Sequence, residues 1–334
     1  MVDLNIELPE SFFKEEERAN YKVDAKTKEV WAVELDLLNE FDRVCKKYGL
    51  KYILDFGTML GAVRHKGFIP WDDDVDVSML REDYDKLMEV GPKEFKHPYF
   101  LQTQLTDKSY DMDITRLRRS DTTSLNFNDV LYGNKYNQGI FLDIYVFDNV
   151  PTNDINAVKK IHNNCKKYAY AMLVMSHTPF TKRNRIKPTV LNTIRYAIYK
   201  LRYGNLQKAS KHLDIYSKKF EHSDYVCILH CKGNTRIRER KVFENIIEVP
   251  YETLMLPIPA AYDEVLTDCF GDYMTPVNFD KGFVLYLDTN RSYEDVIKEE
   301  GSYDRLCKEL SINPRDYQMG LIDFLKYRIR KKFF

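Results

Sequence analysis

Phe56-Gly57-Thr58-Met59-Leu60-Gly61-Ala62-Val63-Arg64-His65-Lys66-Gly67-Phe68-Ile69-Pro70-Trp71-Asp72-Asp73-Asp74-Val75-Asp76-Val77 places a small-residue turn and a basic tripeptide ahead of four aspartates within five positions. Four like charges that close repel one another, and a fold tolerates them best around a cation. Asp74-Val75-Asp76-Val77 alternates polar with apolar, which predicts a strand with both valines on one face and both carboxylates on the other. Two aspartates on one strand face can share a hard, oxygen-preferring ion such as Mg²⁺, with Mn²⁺ as a substitute. A metal beside basic side chains and a small turn suits phosphate chemistry. The stretch therefore points to an enzyme.

Outward from this stretch the chain divides unevenly. A polar arm is expected over 1–24. Val30, Val33, Leu37, Leu38, Phe41 and Val44 recur at helical spacing, which predicts a helix over 25–48 that stops at Gly49. Leu50 to Phe56 reads as a strand, Gly57 as the turn after it, 59–63 as a brief helix, 74–79 as a strand and 81–90 as a helix. Strands are expected over 99–104, 111–119 and 139–147, the last an apolar run interrupted by one acid, Asp143. Residues 25–150 thus form an α+β catalytic core. A basic helical insert follows over 151–224, with helices near 152–177, 189–203 and 206–221. Residues 225–334 mix short strands with helices and complete the substrate site.

The 334 residues are 44% apolar and 31% charged, a composition of folded rather than disordered chains. Net charge is zero, so the whole-molecule charge gives no nucleic-acid signal, and no nucleic-acid partner is expected. Pro151 to His222 nevertheless carries fifteen Lys and Arg against three acids, a surface suited to something anionic. The stripe on the 189–203 helix, edged by Arg195, Lys200 and Arg202, has two readings. It is either a core-packing face with a solvated basic edge or, with Arg328 to Lys332, a contact with an anionic membrane. No run is long enough to span a membrane and the first residues are unlike a signal peptide, so a cytoplasmic location is expected. The six cysteines are scattered and expected to be reduced. Cys227-x3-Cys231, with His230 and His222 nearby, is an atypical zinc spacing.

Chemistry concentrates on three acids. Asp74 and Asp76 are candidate metal ligands, and Asp143, an acid inside an apolar strand, is costly unless it meets a cation or donors. Asp143 can complete the metal shell or accept the proton of an attacking hydroxyl. Gly57 lets backbone approach a phosphate and Thr58 can donate to it. Arg64, His65 and Lys66 are candidate phosphate contacts, and Arg118 is the cation chosen for donor phosphates. A calcium loop starting at Asp72 is excluded by Val77 at position six and Asp83 at position twelve.

The stretch Gly57 to Asp76 resembles the signature of the LicD family, which includes bacterial phosphocholine transferases and is related to the fukutin-related protein. Gly139-Ile140-Phe141-Leu142-Asp143-Ile144-Tyr145 through Asp148-Asn149-Val150-Pro151 resembles its second block. Arg118-Arg119-Ser120-Asp121-Thr122-Thr123 and Phe270-Gly271-Asp272-Tyr273-Met274 resemble weaker ones. Phe270 stands where the family usually has tyrosine, and the basic insert belongs to no signature. The resemblance implies a polymerase-beta-like nucleotidyltransferase fold with Asp74, Asp76 and Asp143 as metal triad. It also implies transfer of a phospho-substituent from a CDP-activated donor, CDP-choline first, to a hydroxyl of a glycan or lipid-linked glycan, releasing CMP. The rival reading is an Asp-x-Asp glycosyltransferase using a nucleotide-sugar, and the third a non-enzymatic scaffold that kept the fold.

Overall fold

Helix α1 (Ala25–Tyr48) has the bounds that its apolar spacing predicts. The Asp24 side chain accepts the N–H of Thr27 at its start, and Gly49 closes it at φ 63° with its N–H turned back to Cys45 and Lys46. Val30, Val33, Leu37, Leu38, Phe41 and Val44 are all buried, each contributing about 1.5–3 kcal/mol on leaving water. The computed structural model describes residues 1–126, 135–176, 186–230, 235–276, 285–299 and 302–309.

The N-terminal arm is not free. Val2, Leu4, Ile6 and Leu8 pack on the core at every second position, a period-two pattern that the polar composition hides. A 3-10 turn (Glu10–Phe13) then buries Phe12. The hairpin of β1 (Glu16–Arg18) and β2 (Tyr21–Val23) turns through Ala19 and Asn20, both at positive φ.

One mixed sheet of seven strands forms the centre: β3 (Ile53–Leu54), β4 (Val75–Leu80), β5 (Tyr99–Gln102), β6 (Thr115–Arg119), β8 (Ile140–Val150), β9 (Tyr225–Ile228) and β10 (Ile237–Glu239). The long strand β8 is its spine. Along one edge it pairs in parallel with β4; along the other it pairs antiparallel with β6 through its first half and with β9 from Phe147 to Val150. β3 extends the sheet beyond β4, β5 beyond β6 and β10 beyond β9. A separate pair, β7 (Thr123–Asn126) with β13 (Leu285–Asp288), was not foreseen from the sequence, and β6 starts at Thr115 rather than 111.

Opposed residues share a face. Val75, Val77 and Met79 of β4 therefore lie with Leu142 and Ile144 of β8 and Leu117 of β6 on a first face, in the core built with α1. The second face carries Asp76, Ser78, Asp143, Tyr145, Arg116 and Arg118. Both faces of β4 are buried, so the Asp/Val alternation separates two interiors rather than core from water. The helix α3 (Arg81–Glu94) follows β4. The hairpin β11 (Ile246–Tyr251)–β12 (Leu254–Pro259) holds the loop after residue 65, through Glu252 N–H to Lys66 O at 2.7 Å and Phe68 N–H to Glu252 Oε1 at 3.1 Å.

The helices α4 (Ile155–Ser176), α5 (Ile186–Tyr203) and α6 (Leu206–Ser217) come next in the chain. Val158, Ile161, Cys165, Ala169 and Met172 of α4 pack on Ala209 and Leu213 of α6 and on Cys227 of β9. Three more helices, α7 (Tyr262–Phe270), α8 (Tyr293–Lys298) and α9 (Ser302–Glu309), complete the described chain.

Gly139, at the entrance to β8, has no room for a side chain: a Cβ there would lie 1.9 Å from Arg119 O. Gly139→Ala must push β6 and β8 apart, and it is expected to lose about 1–3 kcal/mol. The urea midpoint should fall with the m-value unchanged; a midpoint equal to wild type would show that the strands separate at no cost.

Candidate active site

The register sets the charges in a row. Asp76 of β4 lies directly across from Asp143 of β8, and Asp143 directly across from Arg116 of β6. Asp143 Oδ1 accepts from Arg116 Nε at 2.6 Å, and the guanidinium carbon sits 3.8 Å from the centre of the Phe141 ring. Burial disfavours the Arg116 charge, but Asp143 outweighs it and raises the guanidinium pKa. Asp74 stands just ahead of β4. Burial and then the Asp72 carboxylate push Asp74 up to about 8. Burial and then Asp74 and Asp143 hold Asp76 well above the usual carboxylate range. Acids this crowded ionise together only beside added positive charge.

That donor set suits a hard divalent ion: all oxygen, two acids in register on adjacent strands, one acid two residues before. As placed, the side chains do not converge. Among the described residues no three His, Cys, Asp or Glu side chains are arranged to hold an ion, and the Asp143 carboxylate is turned to Arg116. An ion held there would meet an Asp143 carboxylate whose Oδ1 already accepts from Arg116.

The turn that presents Gly57 and Thr58 differs from the sequence expectation. Helix α2 (Phe56–His65) begins earlier, so both residues lie in its first turn, and the sharp bend falls on Phe56 at φ 46°. A non-glycine residue in the left-handed region needs support. Asp55 supplies it: its Oδ1 accepts the Phe56 N–H at 2.8 Å and its own N–H donates to Asp76 O at 3.1 Å. Asp55 is fully buried and bridged by Arg238 of β10, at 2.8 and 2.7 Å, and by the Ser78 hydroxyl at 2.6 Å. Thr58 Oγ1 accepts the Asp76 N–H at 2.8 Å, which leaves the hydroxyl proton free to be donated onward. Gly57 makes room for Asp72, whose Oδ2 would lie 2.8 Å from a Cβ at this position.

The structure thus brings together Gly57, Thr58, Asp74, Asp76 and Asp143. Arg64, His65 and Lys66 occupy the other end of α2, about 10 Å further along at 1.5 Å per residue. Arg64 donates to Tyr273 O at 2.8 Å and to His65 Nε2 at 2.9 Å. Burial, then Arg64 and Arg18, hold His65 down to about 4, so it is neutral near pH 7. Arg118 is buried, donating to Gln102 Oε1 and to Gly139 O, both at 2.6 Å. Arg119 points to the opposite face and pairs with Asp36 of α1.

Sequence reasoning passed over Arg116, Asp55 and Arg238. Arg116 and Arg118 share a face by alternation, and only the register shows which one meets Asp143. Asp55 carried the signal that singled out Asp143, an acid closing an apolar run, Tyr52-Ile53-Leu54. Cys231 lies outside the described residues. Cys227 is buried, and His230 bonds Arg81 and Ser217, each at 2.9 Å. A cavity of about 680 Å³ opens between α3, residues 103–115 and α6, but Tyr84 and Thr115 line it from the first face and the acid row does not.

Residues 49–183 match the family described as LicD/FKTN/FKRP, nucleotidyltransferase domain. The lipopolysaccharide cholinephosphotransferase LicD of Haemophilus influenzae is 29% identical over 255 residues, 72% of this chain and 88% of that protein. An uncharacterised protein of Rickettsia prowazekii is 26% identical over 162 residues, 43% of this chain and 59% of its own. The human ribitol 5-phosphate transferase FKRP is 30% identical over 82 residues, 25% of this chain and 17% of that protein. The matched segment contains Asp55, Gly57, Thr58, the three acids and Arg116; Arg238 lies beyond it.

Proposed function

We propose, from a chain that carries a LicD-family domain over residues 49–183, that this protein is a metal-dependent phosphotransferase. It moves a phospho-substituent, phosphocholine first, from a CDP-activated donor to a hydroxyl of a cell-surface glycan or its lipid-linked precursor, in the cytoplasm. The observation that carries the reading is the row Asp76–Asp143–Arg116 with Asp74 beside it. The similarity to a cholinephosphotransferase and to a ribitol phosphate transferase supports the class of group moved. The domain is taken to have the polymerase-beta-like nucleotidyltransferase fold, with which the mixed sheet and flanking helices agree.

Asp74, Asp76 and Asp143 would hold Mg²⁺ or Mn²⁺. When bound, such an ion neutralises charge on the phosphoryl group in transfer. The protein's own groups do the rest. The N-terminal turn of α2 would face the donor phosphates with the N–H groups of Gly57 and Thr58 and with the Thr58 hydroxyl. Arg116, kept protonated beside Asp143, offsets the negative charge that builds on the phosphoryl oxygens. The acceptor hydroxyl oxygen forms the new bond to phosphorus as the bond to the CMP oxygen breaks, and a carboxylate of the row takes the hydroxyl proton.

The test is direct. Protein incubated with CDP-choline, CDP-ribitol or CDP-glycerol and candidate glycans should release CMP and form a phosphodiester with one donor, CDP-choline being expected. A nucleoside diphosphate and a glycoside from a nucleotide-sugar would instead establish the glycosyltransferase. No turnover with any CDP donor across a broad acceptor panel would leave the scaffold reading.

A further inference from the structure

Helix α5 presents an apolar stripe outward. Leu191, Ile194, Ile198 and Leu201 are 47%, 50%, 52% and 88% exposed, which rules out the core-packing reading of their spacing. At 3.6 residues per turn the four fall within an arc of about 80°. The opposite side holds the helix down: Tyr203 is buried, and the Tyr199 ring lies 6.2 Å from Tyr170 and 6.3 Å from Tyr203. Arg195 and Arg202 border the stripe, Arg195 with its guanidinium on the Tyr170 hydroxyl at 3.2 Å. The surrounding sequence carries one sign of charge. From Ile155 to Leu213 there are thirteen Lys and Arg and not one Asp or Glu.

We propose that this face of α5 docks the protein on an anionic lipid bilayer, the helix lying in the interface with Leu191, Ile194, Ile198 and Leu201 among the acyl chains. An apolar stripe flanked by cations is the arrangement that interfacial helices use. No described helix is long and apolar enough to cross a membrane, and the contact proposed is a peripheral one. A second copy of this chain is a poor occupant, since stripe-to-stripe docking would bring the cationic border of Arg195 and Arg202 against a like-charged one. The inference deepens the proposed function by placing the enzyme where a lipid-linked acceptor lies, but docking needs no turnover.

Sedimentation of the full chain with vesicles tests it. Vesicles of phosphatidylcholine containing a third phosphatidylglycerol should carry the protein down at low salt. Neutral vesicles, or high salt, should carry at least about tenfold less. Ile194→Ser with Ile198→Ser, both exposed and outside the acid site, should lose about tenfold in vesicle binding while CMP release on a soluble acceptor is unchanged. Arg195→Gln with Arg202→Gln should flatten the salt dependence. Asp76→Asn should sediment like wild type, which separates docking from catalysis. Wild type left in solution with anionic vesicles at low salt would overturn the proposal. So would vesicle binding unaffected by the serine pair, or loss of a self-associated species by that pair with no change on vesicles.

Discussion

Asp76→Asn and Asp143→Asn are each expected to lower CMP release at least a few hundred-fold while the protein stays folded. Each keeps the side-chain shape and removes one charge from a row that faces its partners directly across the strands. Losing the charge stabilisation that a bound ion gives a phosphoryl group costs several kcal/mol of barrier, and each 1.36 kcal/mol is tenfold in rate. Asp74→Asn belongs to the same set. Chelator should silence the wild type, and Mg²⁺ or Mn²⁺ should restore it. Titration of Mn²⁺ into each variant gives a readout apart from turnover, and all three should bind the ion more weakly. The folded pKa of Asp74 is raised from 3.8 to about 8, so in chelator the fold keeps its full contribution from this group below about pH 4. That contribution is lost as pH rises through about 8. Asp74→Asn cannot ionise and should not show the loss. Near-wild-type turnover in any one variant at saturating metal would remove that acid from the site.

Arg238→Met should be strongly destabilising. It strips the guanidinium from Asp55, which is fully buried and held by Arg238 at 2.8 and 2.7 Å. Breaking a buried pair from one side costs about 3–5 kcal/mol, because the remaining charge has lost its partner. Arg238→Met with Asp55→Asn removes both charges and should recover much of the loss. Additive penalties in the double variant, measured by urea unfolding, would show that the pair is not coupled. The single variant should also release Phe56 from its left-handed conformation, so the turnover of whatever remains folded should fall as well.

Much of this was readable from residues alone, and the boundary is physical. Period and composition gave the bounds of α1 and the existence of β4, β6 and β8, because burial of one face leaves a local trace. Asp76 and Asp143 stood out for the same reason, as acids set in apolar surroundings. Pairing between strands leaves no such trace. Nothing local says that Arg116 rather than Arg118 meets Asp143, or that Arg238 reaches Asp55 from 183 residues away. The bend at Phe56 was assigned to Gly57 because glycine is the usual tenant of the left-handed region; here a buried ion pair secures it on phenylalanine. The exposed stripe of α5 had the spacing of a core helix, and spacing cannot say what lies opposite.

The split edge of β8 bears on where the chain can be cut. A gene fragment ending at residue 183, where the family match stops, would leave Phe147 to Val150 with a bare edge where β9 pairs. It would also strand the Asp55 carboxylate without its guanidinium. Exposed edges recruit other chains, so such a fragment is a candidate for inclusion bodies rather than for crystals. The shortest piece worth expressing runs through β13, because stopping at β12 would bare the edge of β7 and remove Val265, Leu266 and Tyr273 from the core.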